Sequence, residues 1–382
     1  MRIAFLFFCL LSLHSCAQQS TNQQLPLAVA QQIDALFKDF DQSNTPGYAI
    51  GISQNDQTLY QKGYGEANLD YNIPITPQSA FSIASVSKQF TAACAALLIL
   101  DKKLSLETPV WEFVPELKKY PDTIRVKHLI YNTSGLTDYY RVPRPSGKSW
   151  ITFNYFDIDE CIATSLAQDS LQFRPGERWD YCNINFMLLA KIIAQVSGLP
   201  FSEFAEQRLF QPIGMNSSLI NDDVTAIIKN RVTPYNLRIP EHVAGYAEEG
   251  IKIGSEGQFL QHPRNSPHYG GSGVVTTIED LLRWSKNMVS KNFGGEAFYE
   301  LIHRTLPFEH DRNNQAFGLY HGDFNGRPIV AWDGGDWGIS AQLMRFPKQG
   351  VAIVVLSNLG TGEAYRKVNQ IADILIDEGV MK

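Results

Sequence analysis

Apolar and polar positions alternate with different periods along this chain. Val29, Ile33, Leu36, Phe37 and Phe40 recur at helical spacing, so residues 28–40 predict an amphipathic helix, ended by Asn44-Thr45-Pro46-Gly47. Residues 48–53 and 59–64 follow as two strands of a hairpin, joined across Gln54-Asn55-Asp56-Gln57. Residues 70–80, with Pro74 and Pro77, form a loop. It leads into the apolar run from Phe90 to Leu100, rich in Ala and Leu and free of Gly and Pro, which predicts a helix buried on every side. From there to about residue 312 the pattern is helices and long loops. Helices are expected over residues 185–195, stopped near Gly198, over 201–209, closed by Pro212-Ile213-Gly214-Met215, and over 278–288. Residues 317–320, 328–332, 338–346 and 351–357 then read as strands. Asn325-Gly326, Asp333-Gly334-Gly335 and Lys348-Gln349-Gly350 separate them, as in an antiparallel meander, and a helix over 364–378 closes the chain.

Strands, a long helical insertion and strands again predict a mixed α/β (α+β) fold. A discontinuous sheet lobe, about residues 28–80 and 313–382, would meet a helical lobe, about 81–312, at a cleft. The 382 residues are ample for such a core. A net charge of -6 with no basic block leaves no footprint for nucleic acid.

The first 15 residues stand outside this pattern. Arg2 followed by the apolar stretch from Ile3 to Leu13, too short to span a bilayer comfortably, predicts a secretory signal. Its end, Leu13-His14-Ser15-Cys16, resembles a bacterial lipobox, which would make Cys16 the lipidated first residue of the mature protein. Cleavage near Ala17 without a lipid is the alternative, and Ala17 in place of Asp would favour the outer membrane. Residues 16–27 then read as a tether, and the chain as an exported envelope protein that touches membrane only through that anchor. Beyond Cys16 only Cys94, Cys161 and Cys182 remain. Their odd number and wide spacing predict free thiols, not a disulfide framework or a zinc site.

Candidate chemistry begins at Ser85-Val86-Ser87-Lys88, the start of the buried helix. Residues three apart share one helical face, so Lys88 can reach Ser85. A serine hydroxyl needs a neighbouring base to become a nucleophile, and a lysine serves once burial lowers its pKa. The helix N-terminus adds free backbone N–H groups for developing negative charge. Taken singly, Ser85 is also an ordinary helix cap and Lys88 an ordinary surface residue. The apolar surroundings of the helix favour the catalytic reading.

Two later stretches extend the pattern: Tyr181-Cys182-Asn183 and Trp332-Asp333-Gly334. With Ser85-Val86-Ser87-Lys88 they resemble the three ordered motifs of the serine β-lactamase and penicillin-binding protein superfamily. The Tyr-x-Asn form resembles the class C branch, which includes D,D-carboxypeptidases, D-aminopeptidases and esterases of the same fold. The resemblance spans about residues 28–378 and is strengthened by Asn132-Thr133-Ser134-Gly135-Leu136, Arg174-Pro175-Gly176-Glu177 and Tyr269-Gly270-Gly271-Ser272-Gly273. It implies a β-lactamase-like fold, an antiparallel sheet flanked by helices with the site in the cleft. It also implies roles: Ser85 as nucleophile, Lys88 keeping its proton mobile, Tyr181 as base or acid beside it, as a phenolate or through a shared proton. Asn183 would meet a substrate carbonyl, and the Ser85 and Gly335 N–H groups would form the oxyanion hole.

One position departs from the family pattern. The third motif usually begins with Lys or His, which meets a substrate carboxylate; here it begins with Trp332. An indole has one N–H donor, no charge and a broad apolar face. The expectation is a serine hydrolase acting through an acyl-enzyme on a neutral ester or amide, with Trp332 and Gly334 lining the substrate site. A peptidoglycan-directed peptidase or β-lactamase, or a non-catalytic envelope protein that keeps the fold, are the alternatives. No Gly-x-Ser-x-Gly, His-Glu-x-x-His or phosphate-binding glycine loop is present, so no cofactor or metal is expected. His262 and His268 flank a Pro-containing loop and read as structural or solvent-facing. Residues 138–156 and 233–268 are expected to shape the substrate pocket.

Overall fold

The computed structural model describes residues 24–306 and 314–382; the expected signal segment, Cys16 and most of the tether lie outside the described residues. The centre is one antiparallel sheet. β1 (Tyr48–Gln54) and β2 (Gln57–Tyr64) form the expected hairpin. β3 (Tyr320–Phe324), β4 (Arg327–Asp336), β5 (Ile339–Phe346) and β6 (Val351–Ser357) form the meander. The strand order is β3-β4-β5-β6-β1-β2, and β1 joins β6 in register from Tyr48↔Ser357 to Gln54↔Val351.

The helices that position the site are α1 (Leu27–Ala35), α2 (Lys88–Leu100), α3 (Asn183–Ser197), α4 (Pro240–Glu248), α5 (Ile278–Ser290), α6 (Gly295–Ile302) and α7 (Ala364–Asp377). Every residue of β5 and β6 is buried, because both faces of the sheet are covered. Ile50, Ile353 and Val355 pack with Ile33 of α1 and Val368 and Ile371 of α7. The alternate residues Ala49, Leu343, Val354 and Leu356 face the helical side. There α2 is buried from Lys88 to Leu98, all round its axis. Cys94, Cys161 and Cys182 are free and buried.

Four expectations are corrected. α1 ends at Ala35; residues 36–40 continue as turns, yet Phe37 stays buried, stacked on Tyr64 at 4.8 Å, so the apolar period there marks burial and not helix. The helix expected over 201–209 holds α geometry only over Phe201–Ala205, then widens into a π turn over Glu206–Phe210. Residues 317–319 are not strand. Ala316 N–H donates to the Leu319 carbonyl at 2.8 Å, and Gly318, at φ +64, turns against the Lys88 backbone, so their apolar side chains are buried in a turn. Asp333-Gly334-Gly335 is not a turn but the interior of β4, paired Gly334↔Ala341 and Gly335↔Ser340. The chain reverses at Trp337-Gly338 instead.

Candidate active site

Ser85 sits on a turn of 3-10 helix, Ala84–Ser87, that runs directly into α2. Ala84 holds φ +44, a left-handed conformation that costs an alanine about 1–2 kcal/mol. Ala84, Val86 and Ser87 are buried, so packing on both sides holds the strain and leaves the partly exposed Ser85 facing the cleft. β4 passes directly beneath. A Cβ on Gly334 would lie 2.3 Å from the Ile83 carbonyl oxygen and 3.1 Å from Ser85 N, so only glycine allows this approach. On Gly335 a Cβ would meet nothing within 4 Å, because that residue faces the open cleft. Gly334 thus sets β4 against the Ser85 turn, and the next residue, Gly335, lines the cleft.

Lys88 is fully buried one turn below Ser85. Its Nζ lies 3.1 Å from Ser85 Oγ, 2.7 Å from Asn183 Oδ1 and 2.7 Å from the Gly271 carbonyl oxygen. Burial pushes its pKa down to about 7, against the opposing pull of Asp138, Cys182 and Asp333. A neutral amine has two hydrogens and one lone pair. The two fixed oxygens take the hydrogens, which leaves the lone pair for the Ser85 hydroxyl. Tyr181 Oη is 2.5 Å from Ser85 Oγ on the other side. Burial drives its pKa far above the ordinary phenol value. Of the two groups touching Ser85, Lys88 is thus the one that titrates near neutral pH, and Tyr181 rests as a phenol.

Asn183 opens α3. Its Oδ1 accepts from Lys88, and its backbone N–H donates to the Asp138 carboxylate. Asp138 is fully buried, and burial raises its pKa to about 6. The α3 N-terminus, with its unpaired N–H groups, favours the charged form there. Asp138 was missed in the sequence. The available signal was a lone acid between Leu136-Thr137 and Tyr139-Tyr140, an apolar setting that a carboxylate enters only with a partner.

The cleft above these groups has a volume of about 850 Å³. Tyr139, Tyr140, Trp150, Trp179, Trp332 and Trp337 give it aromatic walls. Trp332, 8 % exposed, stands where a cation was absent in the sequence motif. Asp333 and Asp336 also line the cleft; Asp336 is paired with Arg264 at 2.8 Å. Among the described lining residues there is no Lys or Arg. Residues 138–156 contribute to the walls as expected, but from 233–268 only His268 reaches the cleft. That segment acts from behind: Tyr246 of α4 meets the Trp337 ring edge-on at 5.4 Å, and His262 stacks on it at 5.4 Å. His262 is itself held between Thr152 Oγ1 at 2.9 Å and Tyr246 Oη at 2.7 Å. Burial lowers its pKa to about 3 and that of His268 to about 4, so both are neutral structural groups. Neither is solvent-facing. Among the described residues no group of His, Cys, Asp or Glu is arranged to hold a metal ion.

The sequence model of the Beta-lactamase family matches residues 33–378. This chain belongs to the beta-lactamase family. A D-aminopeptidase of Gluconobacter oxydans (strain 621H) is 27% identical over 317 residues, 82% of this chain and 56% of that protein. A penicillin-binding protein of Bacillus subtilis (strain 168) is 26% identical over 347 residues, 86% of this chain and 71% of that protein. This beta-lactamase-family chain therefore spans little more than half the length of the D-aminopeptidase it matches. The crystal structure of D-amino acid amidase from Ochrobactrum anthropi SV3 superimposes with a TM-score of 0.74 at 19% identity, covering 92% of this chain and 99% of that one, which establishes the shared β-lactamase-like fold.

Proposed function

We propose that this beta-lactamase-family chain is a serine hydrolase that forms an acyl-enzyme on Ser85 and acts on esters or amides without a carboxylate near the scissile bond. The observation that carries this reading is the buried Lys88, within 3.1 Å of Ser85 Oγ and with its pKa brought to about 7. The Ser85 proton passes to Lys88 as Oγ attacks the substrate carbonyl. Correctly placed base help of this kind is worth about 10²–10⁴-fold. The Ser85 and Gly335 N–H groups receive the developing oxyanion; each such donor is worth about 10²–10³ in rate. Asn183 Nδ2, which has no partner among the described residues, is available to a substrate carbonyl. The Tyr181 phenol hands a proton to the leaving group and is recharged from Lys88. Water enters by the reverse route and releases the acid.

The electrostatics of the cleft support the choice of substrate. Asp333 repels a carboxylate, and Trp332 offers an apolar face in place of a cation. Asp333 also favours a second reading, an amide substrate carrying a free amine, in keeping with the relatives named D-aminopeptidase and D-amino acid amidase. Carboxylate-terminated D-Ala-D-Ala peptides and β-lactams fit this cleft less well. The test is a panel of p-nitrophenyl esters, D-alanine p-nitroanilide, nitrocefin and a D-Ala-D-Ala peptide. Turnover of the first two ahead of the others is expected; nitrocefin or the D-Ala-D-Ala peptide as the best substrate would refute the charge argument. Export with a lipid on Cys16 remains part of the proposal on the strength of residues 1–16 alone, and incorporation of labelled palmitate, abolished by Cys16→Ser, tests it.

A further inference from the structure

A second cavity, of about 240 Å³, lies between the sheet and α5 and α6. It is lined by other residues of the same strands: Ile329, Ala331 and Met344 line the cleft, whereas their neighbours Val330 and Arg345, whose side chains alternate to the opposite face, line this cavity. From the Gly335 end of the cleft, where Ser340 pairs with Gly335, Arg345 lies five residues along β5, about 17 Å at about 3.3 Å per residue. Arg345 lines this cavity and is only 5 % exposed. Its Nε and Nη1 are buried without a hydrogen-bond partner, and among the described residues no carboxylate pairs with it. Two other arginines with largely buried side chains do have carboxylate partners: Arg144 is paired with Glu160 at 2.6 Å and Arg264 with Asp336 at 2.8 Å.

A guanidinium cannot shed its charge at neutral pH, and an unpaired buried charge is strongly unfavourable. Burial lowers the Arg345 pKa only to about 10, so it stays a cation. His303 lines the same cavity, and its Nε2 is likewise buried without a partner. Lys291, which also lines the cavity, is already bound to Glu296 at 2.6 Å. Two unsatisfied nitrogen groups thus meet in a cavity whose remaining walls include the apolar Met288, Val330 and Val351 beside the polar Ser53, Asn55 and Ser285.

We propose that this cavity is a binding site, separate from the Ser85 cleft, for a small organic carboxylate. The Arg345 guanidinium takes the two carboxylate oxygens as a fork, His303 Nε2 adds a third hydrogen bond, and the apolar wall covers a short tail. Apolar walls favour a carboxylate with a hydrocarbon tail over inorganic phosphate.

The test is a thermal shift and a calorimetric titration of the full chain with sodium butanoate, against sodium chloride at equal ionic strength and against inorganic phosphate. A rise of about 1–3 °C in Tm at tenfold excess over Kd is expected with butanoate and not with chloride. Arg345→Met should lose the response and fold at least as well as the parent, since no partner is orphaned. Val289→Trp, at the half-exposed mouth, is the second variant and should also lose it. No response in the parent chain, a response in both variants equal to the parent's, or a response to phosphate alone would each overturn the proposal.

Discussion

Replacing Gly334 by alanine would put a Cβ 2.3 Å from the Ile83 carbonyl oxygen, 3.1 Å from Ser85 N and 3.2 Å from Val86 N. Non-bonded heavy atoms settle at about 3.5 Å, so β4 and the Ser85 turn must part by about 1 Å. Neither side yields easily. β4 is held in the ladder to β5, and the turn is pinned by buried Val86 and by Ala84 in its left-handed conformation. A displacement of about 1 Å at a reacting group costs about 10²-fold in rate. The overpacking itself should cost about 1–3 kcal/mol of stability. Gly334→Ala is therefore expected to fold with a lowered Tm and to lose about 100-fold in kcat/KM, mostly in kcat. The loss should appear both with a p-nitrophenyl ester and in the rate of labelling by a fluorophosphonate, which needs no knowledge of the natural substrate. Gly335→Ala serves as the stability control, because its Cβ meets nothing within 4 Å and its Tm should not change. A Gly334→Ala variant within twofold of the parent in both assays would refute the idea that β4 sets the position of Ser85.

Other consequences follow from the same geometry. Lys88→Met and Tyr181→Phe should each lower kcat/KM by about 10²–10⁴-fold while leaving the far-ultraviolet circular dichroism unchanged; activity near the parent level would remove either residue from the proton path. The proposed proton transfer needs the neutral Lys88 amine, so kcat/KM should rise with pH through about 7 and flatten above it. Asp138 raises the Lys88 pKa, so Asp138→Asn, which keeps an acceptor for the Asn183 N–H, should move this limb to lower pH by about one unit. An unmoved limb would mean that another group titrates. Trp332→Lys should raise the rate on nitrocefin relative to a p-nitrophenyl ester, and an unchanged ratio would show that Trp332 does not set the charge preference.

Much of this was legible in the sequence where the signal is local. The β1–β2 hairpin, the last two strands and α7 announced themselves through alternation and turn residues. Ser85 and Lys88 share a face because they are three residues apart, and Tyr181 and Asn183 stood out through the family pattern; the structure brings all four within one hydrogen-bonded network. What was hidden depends on contacts between distant segments. A glycine pair reads as a turn unless one knows that the Ser85 turn lies against Gly334. Asp138 is a single acid whose meaning comes from the α3 N-terminus, which begins at Asn183. The 233–268 segment looked like a pocket loop, yet its work is to hold Trp337 through Tyr246 and His262. Arg345 gave no sign at all, because an arginine on a strand is unremarkable until its partners are seen to be missing.

In the proposed reaction, burial and geometry make Ser85 a nucleophile with Lys88 as its base. The most direct measurement is the intact mass of the protein after brief exposure to a fluorophosphonate, for the parent chain and for Ser85→Ala, at pH values on both sides of 7. One adduct per chain is expected, formed faster above pH 7 than below, and none on Ser85→Ala. Equal labelling of the two proteins, or no labelling of a folded parent chain at any pH, would contradict the proposed reaction.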